Sequence, residues 1–254
     1  MTTSIDPTRY APPANLLDGR VILITGSSDG LGRAMALECA ALGARVVLHG
    51  RKVRKLEQVN DAIVDAGHPQ PSILPLDFER AGPDDYAALA EALGKEYGRL
   101  DGLVHNAGIL GDRSPIEHHD VAKWLRTMHV NVNAPFILTK YCLPLIKQAS
   151  DPSIVFVSSG VVDHARAYWG SYLVSKWATE GLSRMLADEL DGEPAVRVNS
   201  VNPGKMRTEM RLQAYPAEDR SVLPEPAAVL PTFLYLLGPQ SRGVTGQRFQ
   251  CQGD

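Results

Sequence analysis

Cysteine is scarce in this chain: Cys39, Cys142 and Cys251 stand far apart and form no CxxC or zinc-type spacing. An odd, scattered set argues against a disulfide framework and fits a reducing compartment. An excess of either charge is also missing, since 26 basic and 29 acidic side chains leave a formal net charge of −3. The basic residues are spread along the chain, whereas a nucleic-acid surface needs a basic stripe, so that class of function is disfavoured. No apolar run reaches the ~18 residues of a membrane span. The stretch MTTSIDPTRYAPPANLLDG has no basic segment followed by an apolar one, so it does not read as a secretory signal, and the expected location is the cytoplasm. Internal repeats and low-complexity segments are absent as well.

What is present is an alternation. Short, β-branched apolar runs recur as RVILIT, ARVVLH, SILPLD, DGLVHN, SIVFVS and VRVNSV. Most are apolar almost throughout, as strands of a parallel sheet covered on both faces should be. Segments with helical spacing separate them, among them GRAMALECAALG and SYLVSKWATEGLSRMLADEL. With QRFQCQ as a last edge strand, the pattern predicts an α/β fold: one Rossmann-type, doubly wound parallel sheet of about seven strands with helices on both faces. A chain of 254 residues suits one such domain, expected over 16–254 behind an extended N-terminal arm over 1–15. The arm, with Arg9, Tyr10, Pro12 and Pro13, is expected to lie on the domain or on a neighbouring subunit. A stretch at about 205–226, rich in Pro, Met and charge, reads as a substrate-covering loop with a short helix or two.

Ligands of such sheets bind beyond the carboxyl ends of the strands, which directs attention to TGSSDGLG at 25–32. Gly26, Gly30 and Gly32 follow a GxxxGxG spacing between the first strand and the first helix. Glycine there allows positive φ and close approach of a pyrophosphate to the backbone, with the helix dipole directed at the anion. A dinucleotide site follows as the reading, with Ser28, Asp29 and Leu31 inside the same turn. NAD binders place an acid about 20 residues further on, for the ribose. At that distance this chain has Arg51 and Lys52 in HGRKVRK and no acid. A guanidinium can pair with a 2′-phosphate, so NADP(H) is preferred, with NAD(H) possible. The competing reading makes RKVRK a solvated helix start. Asp29, close to the same phosphate, weakens the preference unless it points away.

Downstream, Ser159, Tyr172 and Lys176 stand in a Ser-x12-Tyr-x3-Lys arrangement. Tyr172 and Lys176, four apart on a helix, share a face. Free tyrosine, with a pKa near 10, is a poor acid–base partner at neutral pH, and a nearby ammonium favours the phenolate. The expectation is therefore that Lys176 and a nicotinamide ring together lower the pKa of Tyr172, while Ser159 hydrogen-bonds the substrate oxygen.

These motifs, together with HNAG at 105–108, VNVNAPF and NPGKMRT, resemble the short-chain dehydrogenase/reductase family, and within it the YciK-like bacterial oxidoreductases; the resemblance runs from about Leu17 to the C-terminus. It implies that Tyr172 passes a proton to or from a carbonyl oxygen while hydride moves to or from the nicotinamide. It further implies that Lys176 binds the nicotinamide ribose and that Asn131 supports a water-linked proton relay to it, with Asn133 as the possible misassignment. Asp77, at the end of the third strand, is implied to meet the adenine amino group. Asn106, Ala107 and Gly108 line the adenine-side ribose, and Pro203, Gly204 and Thr208 border the carboxamide. A homodimer or homotetramer is implied, paired through helices at about 117–147 and 171–190. Two departures stand out. His105 replaces the usual first asparagine of NNAG and is expected to be a packed histidine, and FQCQGD replaces the usual Asp-Gly-Gly tail.

His118 and His119 are adjacent, diverge on a helix and have no partner pair for a metal. Trp169, three residues before Tyr172, is a candidate substrate contact; Leu110, Val161 and Met206 are weaker ones. The whole reads as an NADP(H)-dependent oxidoreductase acting on a small carbonyl or secondary alcohol, with a nucleotide-sensing protein on the same fold as the alternative. The short chain and the GxxxGxG spacing disfavour a sugar epimerase or dehydratase.

Overall fold

The computed structural model describes residues 5–192 and 196–253. Seven strands form one sheet in the order β3-β2-β1-β4-β5-β6-β7, every neighbouring pair parallel. They are β1 (Val21–Thr25), β2 (Arg45–Gly50), β3 (Ser72–Pro75), β4 (Gly102–His105), β5 (Ser153–Val157), β6 (Arg197–Asn202) and β7 (Arg248–Gln250). The interior strands are sandwiched, which is why their sequences do not alternate. In β1, Ile22 and Ile24 pack into one core, and Val21 and Leu23 into the other. The first core joins α1 (Gly30–Ala41), α2 (Val53–Asp65) and α8 (Leu230–Leu237) to the sheet. The second joins α3 (Pro83–Tyr97), α5 (Ala134–Ile146) and α6 (Gly170–Glu189). Each fully buried aliphatic side chain contributes about 1.5–3 kcal/mol.

Strand order reverses between β1 and β4, and at their carboxyl ends the chain leaves the sheet in opposite directions. That divergence opens a crevice outside the strand ends. α4 (Val121–Met128) leads into a π turn, His129–Asn133, and then into α5. The turn admits one extra residue and carries Asn131 to a buried position, while Asn133 stays exposed. The short helix α7 (Glu209–Ala214) and a 3-10 turn at Arg220–Val222 fall within the 205–226 stretch.

Residues 1–4 of the N-terminal arm lie outside the described residues. The rest is not uniformly extended, since Pro7–Arg9 form a 3-10 turn capped by Asp6. Tyr10 is buried, with its ring edge-on to Tyr235 at 5.7 Å, and Thr232 Oγ1 donates to Pro7 O at 3.3 Å. The arm thus packs on α8 of its own chain. At the other end, Gln252 Nε2 donates to the carbonyls of Pro203 and Lys205, both at 2.8 Å. The unusual tail therefore props the loop after β6.

His105 ends β4 in the interior. Its Nε2 meets Thr139 Oγ1 at 2.8 Å, its ring stacks on Phe156 at 4.6 Å, and burial pushes its pKa down to about 3. The adjacent pair separates: His118 is exposed beside Glu117, whereas His119 lies edge-on to Trp124. Among the described residues no cluster could hold a metal ion, and no helix is long and apolar enough to cross a membrane.

Candidate active site

Beyond the carboxyl ends of β1, β4, β5 and β6 runs a cleft of about 310 Å³. Its floor begins with the glycine turn. Gly26 has φ +67, and a Cβ there would stand 3.0 Å from Ala107 Cα; a Cβ on Gly32 would stand only 2.2 Å from Gly26 O. Backbone must therefore touch backbone, which leaves the turn open to a ligand on its outer side. Asn106 locks the geometry from β4, its Nδ2 donating to Thr25 O at 2.9 Å. Asp29 caps α1 by accepting from Gly30 N at 2.8 Å.

Ser159 closes the far wall at the end of β5. Tyr172 and Lys176 face the same cleft from one side of α6. Tyr172 is buried, and its hydroxyl donates to Met210 Sδ at 4.0 Å. Lys176 Nζ donates to Val157 O at 2.7 Å and stands 5.7 Å from the centre of the tyrosine ring. Behind them, Asn131 makes paired bonds with Ile109, accepting from its N–H and donating to its carbonyl, each at 2.9 Å. It also donates to Ser175 Oγ at 3.0 Å. Asn131 is thus fixed behind Gly108, whereas Asn133 is exposed.

Burial pushes the Tyr172 phenol above its ordinary value, with the Ser159 hydroxyl opposing that rise. The Lys176 ammonium is bound to Val157 O. Burial also depresses Lys176 itself to about 8, against the pull of Glu180. A protonated phenol is the form that can donate.

A smaller cavity of about 140 Å³ continues past Gly26 and Ala107, bordered by Asp77, Gly50 and Arg51. Asp77 lies two residues beyond the end of β3, in the loop rather than the strand. Here the sequence missed one acid that arrives from elsewhere, Glu79. Glu79 Oε1 accepts from Arg51 Nη1 at 2.7 Å and from Arg126 Nη2 at 2.5 Å. Asp29 does not point away, but Lys55 neutralises it at 2.7 Å. Lys55 was in view, inside RKVRK; Glu79 and Arg126 could be found only through the tertiary fold.

The sequence profile of the short chain dehydrogenase family matches residues 20–219. The chain belongs to that family. This short-chain dehydrogenase is 44% identical over 243 residues, 96% of each chain, to the uncharacterized oxidoreductase YciK of Escherichia coli strain K12. Among solved structures, a short chain dehydrogenase from Pseudomonas syringae superposes with a TM-score of 0.94 at 51% identity, covering 96% of this chain and 98% of that one. Another, from Shigella flexneri 2a strain 301 and complexed with NADP, superposes with a TM-score of 0.92 at 43% identity, covering 95% and 100%.

In this dehydrogenase the two cavities bring together most of the residues singled out from sequence. The main cleft is bordered by Gly26, Asp29, Gly30 and Leu31, by Asn106–Gly108 and by Pro203, Gly204 and Thr208, with Ser159, Trp169, Tyr172 and Lys176 opposite. Four others stand outside both cavities. Gly32 is packed behind Gly26, and Asn131 acts through Ile109. Ser28 is half-buried near Gly50, and Lys52 is exposed at the start of α2. Leu110 and Met206 border the cleft, while Val161 packs beneath it without bordering it. Trp169 is turned inward by the left-handed backbone of Tyr168, φ 70, which itself stays exposed.

A bound dinucleotide fits the donor set. The glycine cradle would be filled by any side chain, the α1 N-terminus faces the cleft, and the buried Ser158 hydroxyl beside Ser159 has no partner.

Proposed function

We propose that this chain is an NADP(H)-dependent oxidoreductase acting on a small carbonyl compound or the corresponding secondary alcohol. The observation that carries the reading is that Ser159, Tyr172 and Lys176 border the same cleft as the side-chain-free turn at Gly26 and Gly30. The dinucleotide would rest on that turn and supply or accept the hydride. Arg51, at the smaller cavity, would meet the 2′-phosphate, with Lys52 and Lys55 adding positive charge from the start of α2, Asp77 would meet the adenine, and Pro203, Gly204 and Thr208 would border the carboxamide. The complex with NADP of the Shigella flexneri relative supports the choice of nucleotide.

Ser159 would hold the carbonyl oxygen. The Tyr172 hydroxyl would give that oxygen its proton, and its raised pKa keeps the proton available for the reductive direction. Lys176 would exchange its bond to Val157 for the ribose, and Asn131 would keep the Ile109 backbone in place as the wall behind it. Trp169 would close the substrate side. In this reading residues 16–254 form the working domain and 205–226 cover the substrate. The protein would work in the cytoplasm as a homodimer or homotetramer.

Replacing Tyr172 with Phe tests the assignment. Turnover of NADPH with a panel of aldehydes and ketones is expected to disappear, while NADPH affinity, read by fluorescence titration, changes less than about twofold. Retained turnover would sink the assigned mechanism.

A further inference from the structure

At the mouth of the cleft, above Trp169, three guanidinium groups gather round one tyrosine. Arg113 lies over the Trp169 ring, 4.7 Å from its centre, and over the Tyr215 ring at 5.3 Å. Arg211 covers Tyr215 at 3.9 Å, and Arg166 Nη1 donates to the Tyr215 hydroxyl at 3.0 Å. Carboxylates do not balance this charge. Glu218 is held by Arg211 through two hydrogen bonds, Asp112 pairs with Lys123, and Glu209 lies on the first turn of α7. Among the described residues, neither Arg113 nor Arg166 has an acid within ion-pair distance.

The arrangement of Arg113 is specific. The Trp169 and Tyr215 rings, their centres 5.9 Å apart, brace it from neighbouring directions, and one N–H is spent on the carbonyl of Ala214, the last residue of α7. These contacts restrain the guanidinium, while its other N–H groups have no protein partner among the described residues and can receive a carboxylate through two parallel bonds. Trp169, which lines the cleft, touches both Arg113 and Tyr172, with 5.8 Å between the Trp169 and Tyr172 ring centres. The neighbouring lining is apolar at Leu110, Met206 and Ala214, with Glu209 and Arg211 as the charged side chains from α7.

We propose that Arg113, braced by Trp169 and Tyr215, binds a carboxylate on the substrate, and hence that the substrate class is an aldehyde or ketone that also bears a carboxylate. The proposal rests on the oxidoreductase reading above. Hydride would go to the carbonyl carbon and a proton from Tyr172 to its oxygen, and the carboxylate would leave the reaction unchanged. Arg166 adds positive potential to the same mouth, and Arg211, bound to Glu218, contributes as the support for Tyr215.

The experiment has a binding arm and a turnover arm, each run on the NADPH-saturated protein. In the first, benzoate and benzamide are titrated by tryptophan fluorescence. The wild type is expected to bind benzoate at least tenfold more tightly than benzamide, Arg113→Gln to bind the two alike, and Arg113→Lys to fall between them. In the second, kcat/KM is compared for 4-carboxybenzaldehyde and its methyl ester. Wild type is expected to favour the acid about tenfold, and Arg113→Gln to lose that ratio through KM while the ester is unaffected. A purely structural role for Arg113, as a cap on α7, would lower Tm and leave both ratios as they are, which overturns the proposal; so would equal binding of benzoate and benzamide in the wild type. Selective benzoate binding without reduction of either aldehyde would uphold the anion site and count against the oxidoreductase reading instead.

Discussion

His49 shows how a side chain at the edge of the nucleotide cavity bears on stability. It is the next-to-last residue of β2, with both ring nitrogens buried and without partners among the described residues, its ring tilted on Phe78 at 4.4 Å. Burial pushes its pKa down to about 4 from 6.5. Between those values the unfolded chain binds the proton and the folded one does not, so stability rises with pH through that window and is lost as pH falls through it. His49→Phe should therefore change stability little at pH 7 and leave the variant about 2–3 kcal/mol more stable than wild type at pH 4.5. Urea unfolding at the two pH values reads this directly, and an equal difference at both would refute it. The cofactor preference is settled on the same scale. Parallel titrations with NADPH and NADH should show NADPH bound at least tenfold more tightly, and Arg51→Ala should narrow that gap. Equal affinities would make RKVRK a solvated helix start. Motif residues were legible from spacing because each is fixed by local chain geometry. Glu79, Arg113 and Arg126 were not, because what they do depends on partners brought from other loops.

At the scale of elements, Arg248 ties three of them together. From β7 it reaches Glu180 on α6 at 3.1 Å and the two oxygens of Asp163 at 2.6 and 2.8 Å, with a weaker bond to Ser159 O at 3.4 Å. Glu180 is buried, and its remaining bond is from Ser200 Oγ at 2.8 Å. Arg248→Met would strand that carboxylate, at a cost of about 3–5 kcal/mol. It would also free the loop that carries Ser159, so Tm and kcat should fall together. Adding Glu180→Gln should restore Tm, because the stranded charge is gone, but not kcat, because the Ser159 loop is still untethered. If the single variant melts with the wild type, the network has no such role. The strands were easy to read because burial on both faces writes continuous apolar runs into them. The short helix α7 was harder: six residues within a stretch rich in Pro, Met and charge carry no period to detect.

The whole molecule leaves an unpartnered apolar face. Val121, Leu125, Phe136, Trp177 and Met185 are all exposed on α4, α5 and α6. A standard interface buries about 1,600 Å² in total, and these helices supply the centre of one, so sedimentation should show a dimer or tetramer. Trp177→Glu should shift it toward monomer with the far-UV circular dichroism unchanged; a wild type that sediments as monomer at working concentration would end the idea. Chain topology was legible down to the edge strand, since alternation alone implies a parallel sheet. The assembly face was only implied, because an apolar residue on a helix reads the same whether it meets its own core or another copy. The π turn at 129–133 gives this surface its phase. An α-helix turns about 100° per residue, so the extra residue in the turn sets the direction in which every later side chain of α5 points. Deleting Val132 would change no chemical group of the site. It would swing Leu138 and Cys142 out of the core and Phe136 away from the other exposed apolar side chains. Asn131 apart, whose bonds to Ile109 and Ser175 fix its identity, single substitutions in this segment can be absorbed, but insertions and deletions cannot, so the number of residues is itself under constraint.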